Sequence, residues 1–94
     1  MQAGHLDIFN LGVTLYNLLT LRYPFAEASR DDPLYSLAVV DPQVFLTEET
    51  YPHLIEGGDK TIYDFMSLVV RCFEEVPEQR PTIWELVTHP FITS

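Results

Sequence analysis

Apolar residues recur at helical spacing after Asp7 and predict the first long helix of the chain. Aspartate is a favoured N-cap residue, because its carboxylate can accept hydrogen bonds from the free N–H groups of the next turn. The main apolar stripe consists of Ile8, Leu11, Gly12, Leu15, Leu18 and Leu19. Val13 and Tyr16 add apolar side chains on another face. Because a helix that is apolar on nearly all sides is usually buried, we expect a buried helix over residues 7–20.

A second stripe follows Asp59, which is again a favourable N-cap residue. Its apolar positions are Ile62, Phe65, Met66, Val69, Val70 and Phe73. This spacing is typical of an amphipathic helix with one buried face. Cys72 lies in the same apolar run, so we expect a buried structural thiol rather than a reactive one.

Shorter elements are predicted between these two helices. Residues 21–32 have the pattern of a loop broken by Pro24. Asp32 followed by Pro33 is typical of an N-cap and a first helical residue, because proline lacks the N–H that would have no partner there. The inward-facing residues of this short helix would be Leu34, Leu37 and Ala38.

The segment between the short helix and Asp59 has little readable pattern. Asp41 and Pro42 either end the short helix or open another turn. Residues 43–58 favour no particular element, and we expect the pair Gly57 and Gly58 to close them flexibly.

The last helix is predicted from a capping box, in which Thr82 caps the helix and Glu85 returns a hydrogen bond three residues later. Pro90 would end it. We expect Trp84 to pack in the core rather than to act as a partner hot spot. The apolar face of this last helix would consist of Ile83, Leu86 and Val87. The elements together predict an all-α fold with three main helices and one or two short ones.

Composition limits the classes of function. Ninety-four residues form one domain at most, which can bury roughly 60–65% of its unfolded surface. The net charge of −9 disfavours nucleic-acid binding, because acidic surfaces repel phosphates. No apolar run reaches the roughly 18 residues of a membrane helix, so we expect no membrane partner. A single cysteine excludes an internal disulfide and suits a reducing, intracellular compartment, which we expect to be the cytoplasm.

Two groups of motifs, in matching order and spacing, resemble one known family. Residues 77–82 read P-E-Q-R-P-T and residues 89–91 read H-P-F, which resemble the turn and the end of the last helix of a eukaryotic protein kinase domain. Residues 7–13 read D-I-F-N-L-G-V, and Y-P-F follows at 23–25. They resemble the D-x-W-S-x-G helix and the turn after it. The resemblance covers about residues 4–91 and implies the C-terminal lobe of a serine/threonine kinase, from helix F to helix I.

The resemblance gives structural family positions to Asp7, Gly12, Arg80 and Pro81. In the family, the aspartate matched by Asp7 accepts hydrogen bonds from the catalytic-loop backbone; the alternative is that Asp7 only caps its own helix. Arg80 matches an arginine that pairs with the glutamate of an upstream A-P-E motif. A buried arginine without its partner would cost several kcal/mol. We therefore expect Arg80 to turn toward solvent or to pair with Glu78 or Glu85.

The motifs that bind ATP and magnesium in kinases do not occur in this sequence. The four glycines do not form a G-x-G-x-x-G loop, and the single lysine, Lys60, lies beside a helix cap. His53 and His89 are far apart and lack nearby cysteines, so we expect no metal site. We expect no catalytic or cofactor-binding residue in this chain, and ATP and magnesium only in a full-length parent.

Three segments resemble catalytic motifs superficially. Residues 5–7 resemble H-R-D, but glycine stands where a kinase has its asparagine. Residues 64–66 resemble D-F-G, but their apolar members belong to the second helical stripe. Residues 76–78 resemble A-P-E, but they fit better as the start of a D-P-x-x-R-P-T turn with valine in place of aspartate. We expect the acidic residues at 74–78 to form a solvated loop.

The sequence leaves alternatives for function. The chain is either a fragment of a serine/threonine kinase, inactive alone, or a helical interaction module derived from a kinase lobe. A helical domain unrelated to kinases is a third alternative. Met1 falls just before the helix F motif, where an initiator favours a truncation. In a short chain, a buried-type helix should leave an apolar patch for a protein partner or for the missing kinase lobe.

Overall fold

The computed structural model describes residues 7–55 and 59–93, and every regular element within these ranges is helical. A π-helix covers Phe45–Thr50, and two 3₁₀ turns cover Tyr51–His53 and Pro77–Gln79. The α-helices are α1 (Ile8–Thr20), α2 (Pro33–Val40), α3 (Pro42–Val44), α4 (Lys60–Arg71), α5 (Ile83–Val87) and α6 (Pro90–Thr93). The predicted all-α fold is confirmed.

The predicted N-caps are present. Asp7 and Asp59 each accept a hydrogen bond from a backbone N–H in the first turn of their helices, at 2.9 and 3.1 Å. The capping box of α5 is complete, with Thr82 Oγ1 accepting from Glu85 N at 3.1 Å and Glu85 Oε1 accepting from Thr82 N at 3.0 Å. Side chains thus satisfy N–H groups that helix geometry leaves without partners.

Asp32 joins the loop of residues 21–32 to the start of α2. One of its oxygens accepts from the backbone N–H groups of Ala26 and Glu27, and the other from those of Leu34 and Tyr35. Burial disfavours the charged carboxylate, but these four donors outweigh it and lower the pKa of Asp32. Asp32 therefore fixes the path of the chain between α1 and α2 as well as capping α2.

Helix α4 forms the centre of the core. Every residue of its predicted stripe is buried, and Phe73, just beyond the helix, is fully buried as well. The side chains that join the stripe in the core are Tyr16, Ala38, Phe45, Leu46, Cys72 and Leu86. The period of α4 therefore predicted its packing correctly.

Helix α1 packs differently from its prediction. Its fully buried residues are Gly12, Tyr16 and Thr20, which form one row at a spacing of four. The predicted leucine stripe is only partly covered, and Leu18 is 59% exposed. The expectation of a buried helix therefore holds only for this row, and the exposed side of α1 is the apolar surface that such a helix was expected to leave in a short chain.

Gly12 allows α1 and α4 to approach closely. A Cβ at this position would lie 2.5 Å from Cys72 Cβ and 3.3 Å from a ring carbon of Phe73. Such a contact with Cβ is too short for any side chain larger than hydrogen. Residue 12 is therefore a packing glycine at a helix crossing.

The weakly patterned segment is helical from Pro42 to His53, where a short α-helix is followed by the π-helix and then by a 3₁₀ turn. Asp41 ends α2 and caps α3, so both predicted alternatives occur together. In the π-helix, the i→i+5 repeat places Phe45 and Thr50 on one buried face. The pattern was not recognised because an α-helix would separate these two positions. The expectation about Gly57 and Gly58 lies outside the described residues.

Two smaller expectations are confirmed in part. Ala38 is buried and the two leucines of α2 are partly buried as predicted, but Tyr35 is buried as well. In the acidic loop, Glu75 is not simply solvated: its carboxylate accepts two hydrogen bonds from Arg30, at 2.7 and 3.0 Å, and one from the Tyr35 hydroxyl, at 3.3 Å. This pair links two loops that are far apart in sequence.

None of the helices formed by the described residues is both long enough and apolar enough to cross a membrane.

Candidate functional site

Three phenylalanines form a cluster at the N-terminal end of α1. The centroid of the Phe9 ring lies 5.7 Å from that of Phe73 and 6.0 Å from that of Phe25. Phe25 and Phe73 meet edge to face at 5.2 Å, and Tyr35 meets Phe25 in the same manner at 5.1 Å. Aromatic pairs favour these tilted geometries, so the cluster rigidly positions the start of α1.

Arg80 lies against this cluster. Its guanidinium carbon is 5.3 Å from the centroid of the Phe9 ring, and its Nε donates to the Glu74 carbonyl at 2.7 Å. Among residues 7–55 and 59–93, no carboxylate lies within 4.0 Å of it. The expectation that Arg80 would turn to solvent or pair with Glu78 or Glu85 was wrong, because an aromatic face and a carbonyl hold it and the capping box engages Glu85.

Both oxygens of Asp7 are bound within α1. Oδ1 accepts from the Phe9 N–H at 2.9 Å, and Oδ2 accepts from Asn10 Nδ2 at 3.1 Å. This geometry is that of a helix cap. Pro81, another of the family positions, is fully buried. Its neighbour Arg80 contacts the ring of Phe9, which lies two residues after Asp7. Gly12 lies one turn further along α1 at the crossing with α4.

A groove runs between α1, α4, α5 and α6 and has a volume of about 130 Å³. Three of its residues are substantially exposed although they are apolar: Ile83, Val87 and Ile92. The lining consists of Leu11, Leu15, Phe65, Ile83, Leu86, Val87 and Ile92. Every described residue that lines this groove is apolar, so the groove suits an apolar occupant.

Trp84 was predicted to lie in the core, and this prediction was wrong. Its side chain is 70% exposed, whereas Leu86 is the one residue of α5 that is fully buried. The capping box fixes the rotation of this short helix, and position 84 then faces away from α4. The exposure of Trp84 is a feature that the sequence pattern did not reveal.

Where the structure describes them, the segments that resemble catalytic motifs have structural roles. Asp64 forms an exposed ion pair with Lys60 at 2.8 Å, and the next two residues are buried in α4. Residues 77–79 form a 3₁₀ turn. Of residues 5–7, only Asp7 is described; His5 and Leu6 lie outside the described residues.

Neither histidine that was considered as a metal ligand stands in a ligand cluster. The ring of His53 lies against the Arg22 guanidinium, and Nδ1 of His89 accepts from the Phe91 N–H at 3.1 Å. The described part of the chain contains no group of three or more His, Cys, Asp or Glu residues that could hold a metal ion.

Cys72 is fully buried, as predicted, and its Sγ lies 3.6 Å from the Leu68 carbonyl. Burial raises the pKa of Cys72 to about 12. Because the thiolate is the nucleophilic form, this side chain is inert at neutral pH and acts as a packing group.

Comparison with known proteins gives the same family as the motifs. No protein-family model matches the chain. The serine/threonine-protein kinase dst2 of Dictyostelium discoideum is 31% identical over 94% of the chain, and the mitogen-activated protein kinase kinase kinase ANP1 of Arabidopsis thaliana is 28% identical over 98%. The mitogen-activated protein kinase kinase mkk1 of Cytospora mali is 26% identical over 93%.

The matches cover nearly all of the chain but little of each relative. The chain spans 7% of dst2, 13% of ANP1 and 17% of mkk1. The chain is short and helical and carries the family motifs near both of its ends, as expected for a segment of the kinase C-terminal lobe. Over nearly its whole length, the chain is thus homologous to a segment of the serine/threonine protein kinase catalytic domain.

Proposed function

We propose that the chain is the helical, non-catalytic part of a serine/threonine protein kinase, and that it acts by supporting the parts that bind ATP and protein substrate. The parent would transfer the γ-phosphate of ATP to protein hydroxyls with magnesium, in the cytoplasm. This segment would contribute rigidity and docking surface, because phosphoryl transfer depends on holding metal, nucleotide and base in one cleft. The chain itself would bind neither ATP nor magnesium.

The observation that carries this proposal is the open apolar face of α1. No residue from Ile8 to Thr20 is charged, in a chain with a net charge of −9. Leu11 and Leu15 line the groove, and Leu18 continues their row at 59% exposure. An uncharged leucine row with an adjoining apolar groove is typical of a surface that more protein covers. The rest of a kinase catalytic domain is the occupant that this homology favours.

The proposal is tested on the native product. An antibody against residues 80–94 is used for immunoblots of source cells and for immunoprecipitation, followed by assay of radiolabelled phosphate transfer to a generic protein substrate. We expect a product of about 30 kDa or more, the scale of a whole catalytic domain, with kinase activity in the precipitate. The recombinant 94-residue chain is the matched control and should transfer no phosphate. A product of 10.8 kDa without associated kinase activity would contradict the proposal.

A second candidate function is a free-standing interaction module. The exposed apolar residues Ile83, Val87 and Ile92 of the groove favour it, since soluble monomers rarely leave contiguous apolar surface uncovered. In that case, a native product of 10.8 kDa would co-precipitate a protein partner. Leu15→Glu, which places a charge in the groove, should then abolish the association, and Thr14→Glu on the neighbouring exposed position should not. Loss of the partner with both variants would speak against the groove.

A further inference from the structure

Two chain segments that are distant in sequence meet at the C-terminal end of α1. Ile55 N donates to the Leu19 carbonyl at 3.0 Å, and the Arg22 guanidinium lies 3.0 to 3.2 Å from the ring nitrogens of His53. These contacts hold residues 18–23 beside residues 53–55. We call the surface that they form the α1-end patch, which consists of Leu21, Arg22, Tyr23, His53 and Ile55.

The α1-end patch is unusually apolar for an exposed surface. Leu21 and Tyr23 are 73% and 72% exposed, and Ile55 is 54% exposed. Leu21 also has a left-handed backbone, with φ of 58°, where glycine is the ordinary residue. This conformation closes α1, because the Leu21 N–H donates to the Asn17 carbonyl at 2.8 Å, but the exposed leucine side chain contributes little burial to the fold.

The backbone of the α1-end patch is rigidly held despite its exposure. The buried Thr20 hydroxyl donates to the Tyr16 carbonyl at 2.7 Å and accepts from the Arg22 N–H at 3.1 Å. A surface that is fixed before binding loses little conformational entropy when a partner arrives. Arg22 is therefore presented to solvent in a defined place.

The charge of the α1-end patch is opposite to that of the chain. Arg30 and Lys60 each pair with a carboxylate, at 2.7 and 2.8 Å. In contrast, no carboxylate among the described residues lies within 4.0 Å of Arg22, including that of Glu49, one turn before His53. Arginine and tyrosine beside aliphatic residues are the composition of binding hot spots.

We infer that the α1-end patch docks a segment of another protein in which carboxylates alternate with bulky apolar side chains. The apolar side chains would cover Leu21 and Ile55, and a carboxylate would accept hydrogen bonds from Arg22. The net charge of −9 repels an acidic segment at long range. Short-range pairing with Arg22 must therefore supply the preference for carboxylates, and this preference is what can be measured.

The test uses the ¹⁵N-labelled 94-residue chain and two matched peptides, acetyl-Leu-Asp-Phe-Asp-Leu-amide and its neutral Asn counterpart. Amide shift changes are followed in NMR titrations. We expect changes in residues 18–23 and 53–55, with the acidic peptide binding about threefold more tightly, as an exposed ion pair would give. Arg22→Gln should make the two peptides equal, whereas Arg22→Lys should keep the preference.

Leu21→Gly separates the apolar contribution from the charge. It should weaken both peptides alike, without unfolding the chain, because glycine suits the left-handed backbone. Equal affinity of the two peptides for the unmodified chain would overturn the inference. So would a preference that persists in Arg22→Gln, or shift changes confined to the groove residues Ile83 and Val87.

Discussion

Helices α1 and α4 both contribute apolar residues to the core, but they are covered very differently. Helix α4 has an apolar stripe on one face and polar positions on the other. The structure buries each residue of this stripe from Ile62 to Val70. Helix α1 is apolar on most sides, yet only the row of Gly12, Tyr16 and Thr20 is fully buried. The two helices cross where Gly12 meets Cys72.

The difference shows what a hydrophobic pattern can predict. An amphipathic stripe identifies the face that the same short chain can cover, because its other face is already suited to water. A helix that is apolar on most sides has to be covered on several faces, and the described residues leave Leu18 of α1 exposed. The uncovered side of α1 is consistent with homology to a small part of much longer kinases. Substitutions on the covered and the uncovered side can measure this difference directly.

The largest expected effect comes from truncating the α4 side of the crossing. Phe73 is fully buried and contacts Phe9, Tyr16 and Phe25. Phe73→Ala should lower the free energy of unfolding by about 3–5 kcal/mol, through lost apolar burial and a cavity. Urea unfolding followed by Trp84 fluorescence or circular dichroism measures this change.

The matched control lies on the open side of α1. Leu18→Ala removes a large apolar side chain that is 59% exposed, and it should change the free energy of unfolding by less than about 0.5 kcal/mol. Equal losses for the two variants would mean that the Leu18 side is covered in the isolated chain, and the contrast between α1 and α4 would fail.

The next effect concerns the crossing itself. Gly12→Ala places a Cβ 2.5 Å from Cys72 Cβ, so the two helices must separate. Overpacking of this kind costs about 1–3 kcal/mol, which exceeds the gain of about 0.5–1 kcal/mol for alanine over glycine in a helix. Thr14→Ala, on the exposed face of the same helix, is the control and should be nearly neutral. Stabilisation by Gly12→Ala in thermal unfolding would show that the crossing is not tight.

Most of the fold was predictable because the signals are local. Asp7, Asp32, Asp59 and Thr82 cap helices by side-chain hydrogen bonds that depend only on near neighbours. The period of α4 was equally readable. The π-helix was not, because its wider winding is stabilised by burial of Phe45 and Thr50, and this depends on tertiary contacts.

The candidate site was less predictable than the fold. The motifs gave the family and located Arg80, but not its partners, since the Phe9 ring and the Glu74 carbonyl reach it only through tertiary packing. The exposure of Trp84 and the groove depend on which surfaces remain uncovered. A sequence pattern cannot distinguish a core tryptophan from an exposed one, because both can lie near apolar residues in the sequence, as Trp84 does.

Replacing Arg80 should have a moderate effect on the free energy of unfolding. In the 94-residue chain, Arg80→Ala should lower the free energy of unfolding by about 1–2 kcal/mol, the sum of one hydrogen bond and one cation–π contact. Arg80→Lys is the comparison variant and should recover only part of the loss, because lysine cannot reproduce the planar contact. If a longer kinase product supplies a carboxylate, the loss there should rise to about 3–5 kcal/mol. Identical losses in the short and long proteins would exclude such a carboxylate.

Replacing Leu21 by glycine should stabilise the chain. Its left-handed backbone costs about 1 kcal/mol in a residue with a Cβ, and the exposed side chain returns little burial. Leu21→Gly should therefore raise the free energy of unfolding by up to about 1 kcal/mol. Leu18→Gly, three residues earlier in the helix, should instead lower it by about 1 kcal/mol. Destabilisation by both variants would mean that Leu21 makes contacts that offset its strain.

The smallest expected effect is in the pH dependence of the loop after α1. Four backbone N–H groups lower the pKa of Asp32 below its ordinary value of 3.8. A lowered pKa means that the folded state holds its proton less tightly than the unfolded state, so the stabilisation is complete above the ordinary value and declines as the pH falls through the folded value. Asp32→Asn should therefore show a smaller loss of stability between pH 7 and pH 3 than the unmodified chain, in urea unfolding at each pH. Asp31→Asn is the control, because this exposed neighbour accepts none of the four hydrogen bonds. If the two variants have the same slope, the four donors do not act on the charge of Asp32, and the loop after α1 is held by its backbone alone.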